Sequence, residues 1–335
     1  MKFSNPQLYR PGPQQHAWHP QPGFPDAQQS WFHDAVFENG YCMESMFHFT
    51  PARITLWLHI CDPQGNVTRI TPTFTPDAAT VSREEVDVKV GDNYLRGKSP
   101  TFEIRLRSGD VGIEATIESM TDDFREPPDG VFIGREQRPA TPVYFGFVYR
   151  PRCRVTGKLF LGGKEIPVRG QGHGDHQWSN RSAEQLPMYY WYYSRIFHPT
   201  HTIVWWDTHL NQTFGFERKK WLWVYRDRTL LEYRSNATMF VEPSEFEVEP
   251  ESGLAFPRKT VFMVDEPAIR GTATYTRKLI LENIPSTGFD NPKDEGSVKG
   301  GWKRYLRYLS TCEARFEIDG EKVESTTTEL QEIAT

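Results

Sequence analysis

The stretch Gly170-Gln171-Gly172-His173-Gly174-Asp175-His176-Gln177-Trp178 packs two imidazoles, a carboxylate and an indole into one short segment. An aromatic tract follows, Tyr189-Tyr190-Trp191-Tyr192-Tyr193-Ser194-Arg195, and then Ile203-Val204-Trp205-Trp206-Asp207. Aromatic and β-branched residues in such density suit pleated, half-buried surfaces. The expectation is a set of strands lining an apolar cavity that contains one proton donor.

Side chains alternate between the two faces of a strand. On 203–209, Ile203, Trp205, Asp207 and His209 therefore share a face, and on 189–195 so do Tyr189, Trp191, Tyr193 and Arg195. If 174–178 is extended, His176 and Trp178 share one too. A barrel lumen receiving all three faces would hold Asp207 and His176 among Trp178, Trp191, Trp205 and Tyr193. Burial favours the neutral form of a carboxyl group, and a protonated Asp can act as a general acid. Desolvated indole faces stabilise cations by about 2 kcal/mol. Together these predict protonation of an alkene by Asp207, a carbocation held against Trp, and water oriented by His176 or Tyr193. The bland reading of the same residues is a structural Asp–His hydrogen bond and an aromatic core.

Working outward, the same β texture fills the chain. Short apolar runs are separated by turn signals, and Asn39-Gly40 between 31–37 and 41–49 is a strong hairpin signal. Residues 1–30 carry Pro6, Pro11, Pro13, Pro20, Pro22 and Pro25. They read as an irregular arm, because each Pro lacks a backbone donor. His16, His19 and His33, in or near that arm, are expected to face solvent. No long segment keeps a 3.6-residue period, and only 82–88 and 300–309 are candidates for short helices. Residues 285–301 read as a long loop, a candidate lid. At 335 residues the chain exceeds the roughly 250–300 that one core serves. The expected architecture is all-β, with few short helices and two barrel or sandwich domains packed together: an arm over 1–30, one β domain over 31–184 and another over 185–335.

Bulk composition excludes several function classes. A net charge of −5 argues against nucleic acid, which calls for a basic patch. Cys42, Cys61, Cys153 and Cys312 form no CxxC pair, so neither a zinc finger nor a disulfide scaffold is signalled. No run approaches the ~18 apolar residues of a membrane span, and the N-terminus lacks the apolar stretch of a signal peptide. A cytoplasmic location follows as an expectation. Gly170-x-Gly172 is no dinucleotide fingerprint, since no helix follows it. A metal site from His173, Asp175, His176 and His209 uses legitimate ligand types, but matches no strong zinc spacing.

The pattern Gly-x-Gly-x-x-Asp-His-x-Trp, then Trp-x-aromatic-small-Arg, then aromatic-x-Asp resembles the carotenoid 1,2-hydratase (hydroxyneurosporene synthase) family. Kievitone-type hydratases and fungal decalin-forming Diels–Alderases look like its relatives. Ser30-Trp31-Phe32-His33-Asp34-Ala35 with its Asn-Gly hairpin resembles that family's first strand pair. The resemblance covers much of 30–280 in layout and is specific at about 170–210. It implies two lipocalin-like β domains, no cofactor, no metal, and a hydrophobic small-molecule substrate such as an isoprenoid. Residue by residue it assigns His176, Trp178, Trp191, Arg195, Trp205 and the acid Asp207, with Arg195 anchoring Asp175 or a polar substrate group. The chain departs from the family at His173-Gly174, Gln177, Ser179 and Tyr193. Three readings follow: a cofactor-independent hydratase, a pericyclase, or a non-catalytic binder of a hydrophobic ligand.

Overall fold

The computed structural model describes residues 6–20, 23–127, 129–133, 144–182, 185–250, 253–285 and 304–334. The chain is all-β, and it divides at Pro187/Met188 into two compact units. The described arm residues belong to the first unit. Of the candidate lid, 285–301, all but Pro285, the last residue of a strand, lies outside the described residues.

The first unit holds β1 (Gln28–Phe37), β2 (Cys42–Phe49), β3 (Ile54–Cys61), β4 (Val67–Ile70), β5 (Thr73–Phe74), β6 (Ala79–Val81), β7 (Val86–Val90), β8 (Asn93–Lys98), β9 (Thr101–Ser108), β10 (Val111–Ser119), β11 (Phe124–Arg125), β12 (Val131–Ile133), β13 (Phe145–Leu161) and β14 (Lys164–Ser179). They form one sheet with the main order β4-β3-β2-β1-β14-β13-β10-β9-β8-β7-β6. Leu58 of β3 and Val88 of β7 come from opposite ends of that path, yet lie in one apolar cluster with Trp31, Phe47, Leu106 and Val155. The sheet therefore curls around its core in the manner of a lipocalin.

The second unit holds β15 (Met188–Phe197), β16 (His201–Leu210), β17 (Arg218–Arg226), β18 (Thr229–Arg234), β19 (Met239–Val248), β20 (Ala255–Glu266), β21 (Ile269–Pro285), β22 (Arg304–Ile318) and β23 (Glu321–Ala334). Their order is β18-β17-β16-β15-β23-β22-β21-β20-β19. Trp205, Leu222, Met239, Phe262, Tyr275 and Phe316 share its core, so this sheet also curls.

The Asn39-Gly40 hairpin forms between β1 and β2, with Gly40 at φ 86°, a conformation that favours glycine. Neither short-helix candidate is helical over its described residues: β7 covers 86–90 with alternate residues buried, and 304–309 lies inside β22. The alternation Val86, Val88, Val90 inward and Asp87, Lys89 outward is a strand period, which outweighs any helical reading. No helix among the described residues is long and apolar enough to cross a membrane.

Candidate functional site

Residues 170–178 form the second half of β14, paired without a break to β1 and, on either side of a bulge, to β13. Alternation splits it cleanly. Gly174, His176 and Trp178 face inward with Trp31 and His33 of β1. His173, Asp175 and Gln177 face the other side with Ser30, Phe32 and Asp34. His176 and Trp178 thus share a face, as the pattern implied, but His176 and Asp175 do not. His173 and His176 cannot share one metal ion for the same reason, and His209 lies in the second unit.

The inner face carries a guanidinium and a group of imidazoles. Pro151 cannot donate to the ladder, and the β13–β14 register shifts between Arg150 and Cys153. That bulge leaves Arg150 inward and fully buried. Its Nη2 donates to His33 Nε2 at 2.7 Å, and His16 Nδ1 lies 3.4 Å from its Nη1. A guanidinium has no lone pair to offer, so His33 accepts through Nε2 and its ring is neutral. Gly174 makes room for this contact: a Cβ there would stand 2.7 Å from His33 and 2.8 Å from Arg150. Gly146 does the same under the Trp178 indole, which would lie 2.1 Å from an added Cβ.

The Pro-rich arm closes this face. A helical turn, Pro13–His16, brings His16 to 3.2 Å from the buried carboxylate of Asp123. Trp31 Nε1 donates to the His16 carbonyl at 2.9 Å. His176 Nδ1 and His19 Nε2 both bond the Gln15 carbonyl, at 3.1 and 3.0 Å. His19 stacks on Trp178 at 4.0 Å, and His176 on Trp31 at 4.5 Å. The expectation that His16 and His33 face solvent is therefore corrected: both are buried. Burial pushes the His16, His33 and His176 rings below the ordinary imidazole range, with Arg150 adding to the effect at each.

The outer face of the same strands is a grid. One row reads Trp57, Met46, Phe32, Asp175, Tyr149 across β3-β2-β1-β14-β13, and the next reads His59, Glu44, Asp34, His173. All nine are buried. Glu44 and Asp34 are directly opposed like charges, a destabilising arrangement on its own. Each has its own imidazole: His59 Nδ1 lies 2.6 Å from Glu44, and His173 Nδ1 lies 2.9 Å from Asp34. Asp34 also accepts the His173 backbone N–H at 3.1 Å. On its far side, His173 Nε2 lies 3.5 Å from Asp175 Oδ2, and Gln177 Nε2 donates to Asp175 Oδ1 at 3.2 Å. Phe32 and Tyr149 flank the His173 ring at 5.4 and 5.5 Å. A second ladder, Phe145, Phe147 and Tyr149, continues along β13. An imidazole between two carboxylates can take a proton from one side and give one to the other. Catalytic hydrogen bonds of this kind are often long before substrate binds.

The residues expected around Asp207 are arranged differently. Asp207 is buried on β16, but its two oxygens accept Nε (2.8 Å) and Nη2 of Arg218 on β17. The Asp207 carboxyl group thus sits in a guanidinium fork. Tyr192, not Trp191 or Tyr193, stands opposite Asp207 across β15–β16. Trp205 does share the Asp207 face, in the second unit's core, with Nε1 donating to Tyr275 Oη at 2.9 Å. Trp191, Tyr193 and Arg195 are buried on the opposite face, with the Arg195 guanidinium over the Tyr193 ring. His176 and Trp178 belong to the first unit. The residues expected in one lumen are thus divided between the two units.

Sequence reasoning quoted Asp34 and Phe32 only as part of a strand and missed Arg150, Glu44, His59 and Tyr149. The signal for the first pair was present: Trp31, His33 and Ala35 alternate with Phe32 and Asp34.

No family profile and no curated protein matches this sequence. Several solved structures share the fold. A protein described as a putative AttH from Nitrosomonas europaea superposes with TM-score 0.69 at 13% identity, covering 98% of each chain. Kievitone hydratase from Nectria haematococca gives 0.66 at 11% identity, covering 98% of this chain and 94% of that one. CghA, solved with Sch210972, gives 0.60 at 12% identity, covering 99% and 95%. At such identities the likeness is one of fold: this chain has the two-unit, lipocalin-like β architecture of that group.

Proposed function

We propose that this chain is a cofactor-independent acid–base lyase that adds water to, or removes it from, an alkene-bearing hydrophobic small molecule of the isoprenoid or prenylated class. The observation that carries this reading is the line Asp34–His173–Asp175, buried in a sheet face whose neighbouring row is Trp57, Met46, Phe32 and Tyr149. Asp175 is the proton donor in place of Asp207, whose fork to Arg218 suits an ion pair better than an acid. Asp175 gives its proton to one alkene carbon. The positive charge forms on the other carbon, beside aromatic faces worth about 0.5–2 kcal/mol to a cation. Water adds to that carbon and returns its proton to Asp175. His173 exchanges protons with Asp175, and Asp34 fixes the ring by bonding Nδ1. The reverse sequence is dehydration. Shared fold with a hydratase supports this reading only at the level of the scaffold, because fold does not set chemistry.

The test is incubation with terminal-alkene isoprenoids and prenylated phenols in ¹⁸O-labelled water, read by mass spectrometry. A labelled, water-added product supports the hydratase. A rearranged product of unchanged mass replaces it with a pericyclase, and a retained, unaltered ligand replaces it with a binder.

A further inference from the structure

The outer face of β2 and β3 has one further row beyond His59 and Glu44. It consists of Cys61 and Cys42, which stand directly opposite each other in register. Both are buried free thiols. Directly opposed residues of antiparallel strands have Cα atoms about 4.5–5.5 Å apart, inside the roughly 4.4–6.8 Å span of disulfides. Each thiol is the largest influence on the ionisation of the other. Cys61 ends its strand and bonds the Asp62 carbonyl at 3.4 Å. The turn that follows, Pro63-Gln64-Gly65, is exposed, so this end of the ribbon is the one a small solute reaches.

The remaining thiols differ. Cys153 is opposed by Gly172 and Ser119, and Cys312 by Tyr275 and Thr327. Burial pushes the Cys153 thiol up to about 12 and Cys312 well up. Neither has a second sulfur opposite it.

We propose that Cys42 and Cys61 form a redox-active dithiol that closes to a cross-strand disulfide under a two-electron oxidant of the peroxide class. The two sulfurs have distinct roles. Cys42 draws the Cys61 thiol below the ordinary range, and Arg69 acts in the same direction against burial and Asp62. Cys61 in turn, with burial, Glu44 and Asp34, pushes Cys42 well up. A thiolate is the reacting form of cysteine. Cys61 therefore attacks a peroxide oxygen, the O–O bond breaks, and the departing hydroxide takes up a proton as water. The sulfenic acid on Cys61 is then displaced by the Cys42 sulfur, whose proton leaves with the hydroxyl as a second water. Two thiols and one hydrogen peroxide give one disulfide and two waters; dithiothreitol reverses the change. Closure pins β2 to β3 next to the row His59–Glu44–Asp34–His173. The inference does not depend on the proposed lyase reaction.

The experiment treats the whole reduced protein with hydrogen peroxide, alkylates it under denaturing conditions and maps the peptides. The expected result is loss of two hydrogen atoms in intact mass and a fall in alkylated cysteines from the four free thiols by the pair Cys42 and Cys61. One linked peptide should join residues 42 and 61, and dithiothreitol should restore all thiols. Cys42→Ser should leave a sulfenic acid on Cys61 that dimedone traps, whereas Cys61→Ser should leave Cys42 unmodified. The inference is overturned if all thiols survive peroxide. It is equally overturned if the linked peptide contains Cys153 or Cys312, if the link is between two chains, or if the wild-type map shows only over-oxidised cysteines. The wild-type map decides the matter even where a serine variant folds poorly.

Discussion

The two faces of the β1–β14 ribbon use the same residue type to opposite ends. Inward, His33, His16 and His176 gather near Arg150 beneath the arm, and burial together with that guanidinium disfavours the charged form of each ring. Outward, His173 lies between Asp34 and Asp175, and His59 faces Glu44. The faces are one residue apart in sequence, and the strand alternation alone separates them. The difference teaches that a histidine's role here is set by the charge of its neighbours. Beside the Arg150 guanidinium His33 is an acceptor; between carboxylates His173 is, in the proposed reaction, a proton carrier. The inner face holds the arm in place, and the outer face carries the proposed chemistry.

Mutation can break this comparison from either side. The largest expected effect is on turnover. His173→Ala removes the link between Asp34 and Asp175 and should lower turnover by about 10²–10⁴-fold, the usual worth of a positioned acid–base group. His176→Ala, on the inner face, should act on stability and leave turnover per folded molecule within a few-fold. Equal losses of turnover in both would erase the distinction. Next comes Arg150→Met. It leaves His33 Nε2 without its donor and removes a positive charge that acts on the buried Asp123 carboxylate; an unsatisfied buried group costs about 1–3 kcal/mol, which should show as a lower urea midpoint. Gly174→Ala should cost about 1–3 kcal/mol, the usual penalty of overpacking, because its Cβ meets Arg150 and His33. An unchanged melting temperature would show that these side chains yield freely.

A further effect is graded and follows pH. His16, His33 and His176 hold folded-state rings lowered from the ordinary value of 6.5. As pH falls below that value the unfolded chain binds protons that the folded chain refuses. Their contribution is complete above about pH 6.5 and declines as pH falls further, by up to roughly 1.4 kcal/mol per pH unit for each ring. Urea unfolding between pH 7.5 and 5 should show the midpoint falling on the acid side. A midpoint that rises as pH falls would mean the rings are charged when folded.

Much of the fold was legible because it depends on local chemistry. The Asn39-Gly40 turn, the all-β texture and the shared face of His176 and Trp178 all follow from neighbours within a few residues. What depends on pairing between distant strands was not. The 189–195 and 203–207 tracts each alternate as expected, but their register sets Tyr192 opposite Asp207, so Trp191 and Tyr193 fall on the other side. A one-residue change of register moves every side chain to the other face. The bulge at Pro151 that turns Arg150 inward, the Arg218 fork on Asp207 and the burial of His16 under Asp123 are likewise products of long-range packing. The prolines of the arm signalled irregular backbone correctly, yet irregular backbone can still be buried when its carbonyls find donors, as those of Gln15 and His16 do.

The central claim is that the proton comes from the outer face of β14 and not from β16. The measurement that tests it most directly compares Asp175→Asn and Asp207→Asn in ¹⁸O-labelled water, each shown folded by circular dichroism, on a substrate that the wild type hydrates. The account expects labelled product from wild type and from Asp207→Asn at rates within a few-fold, and a loss of at least about 10²-fold in Asp175→Asn. Labelled product from Asp175→Asn at the wild-type rate, with none from Asp207→Asn, would contradict it.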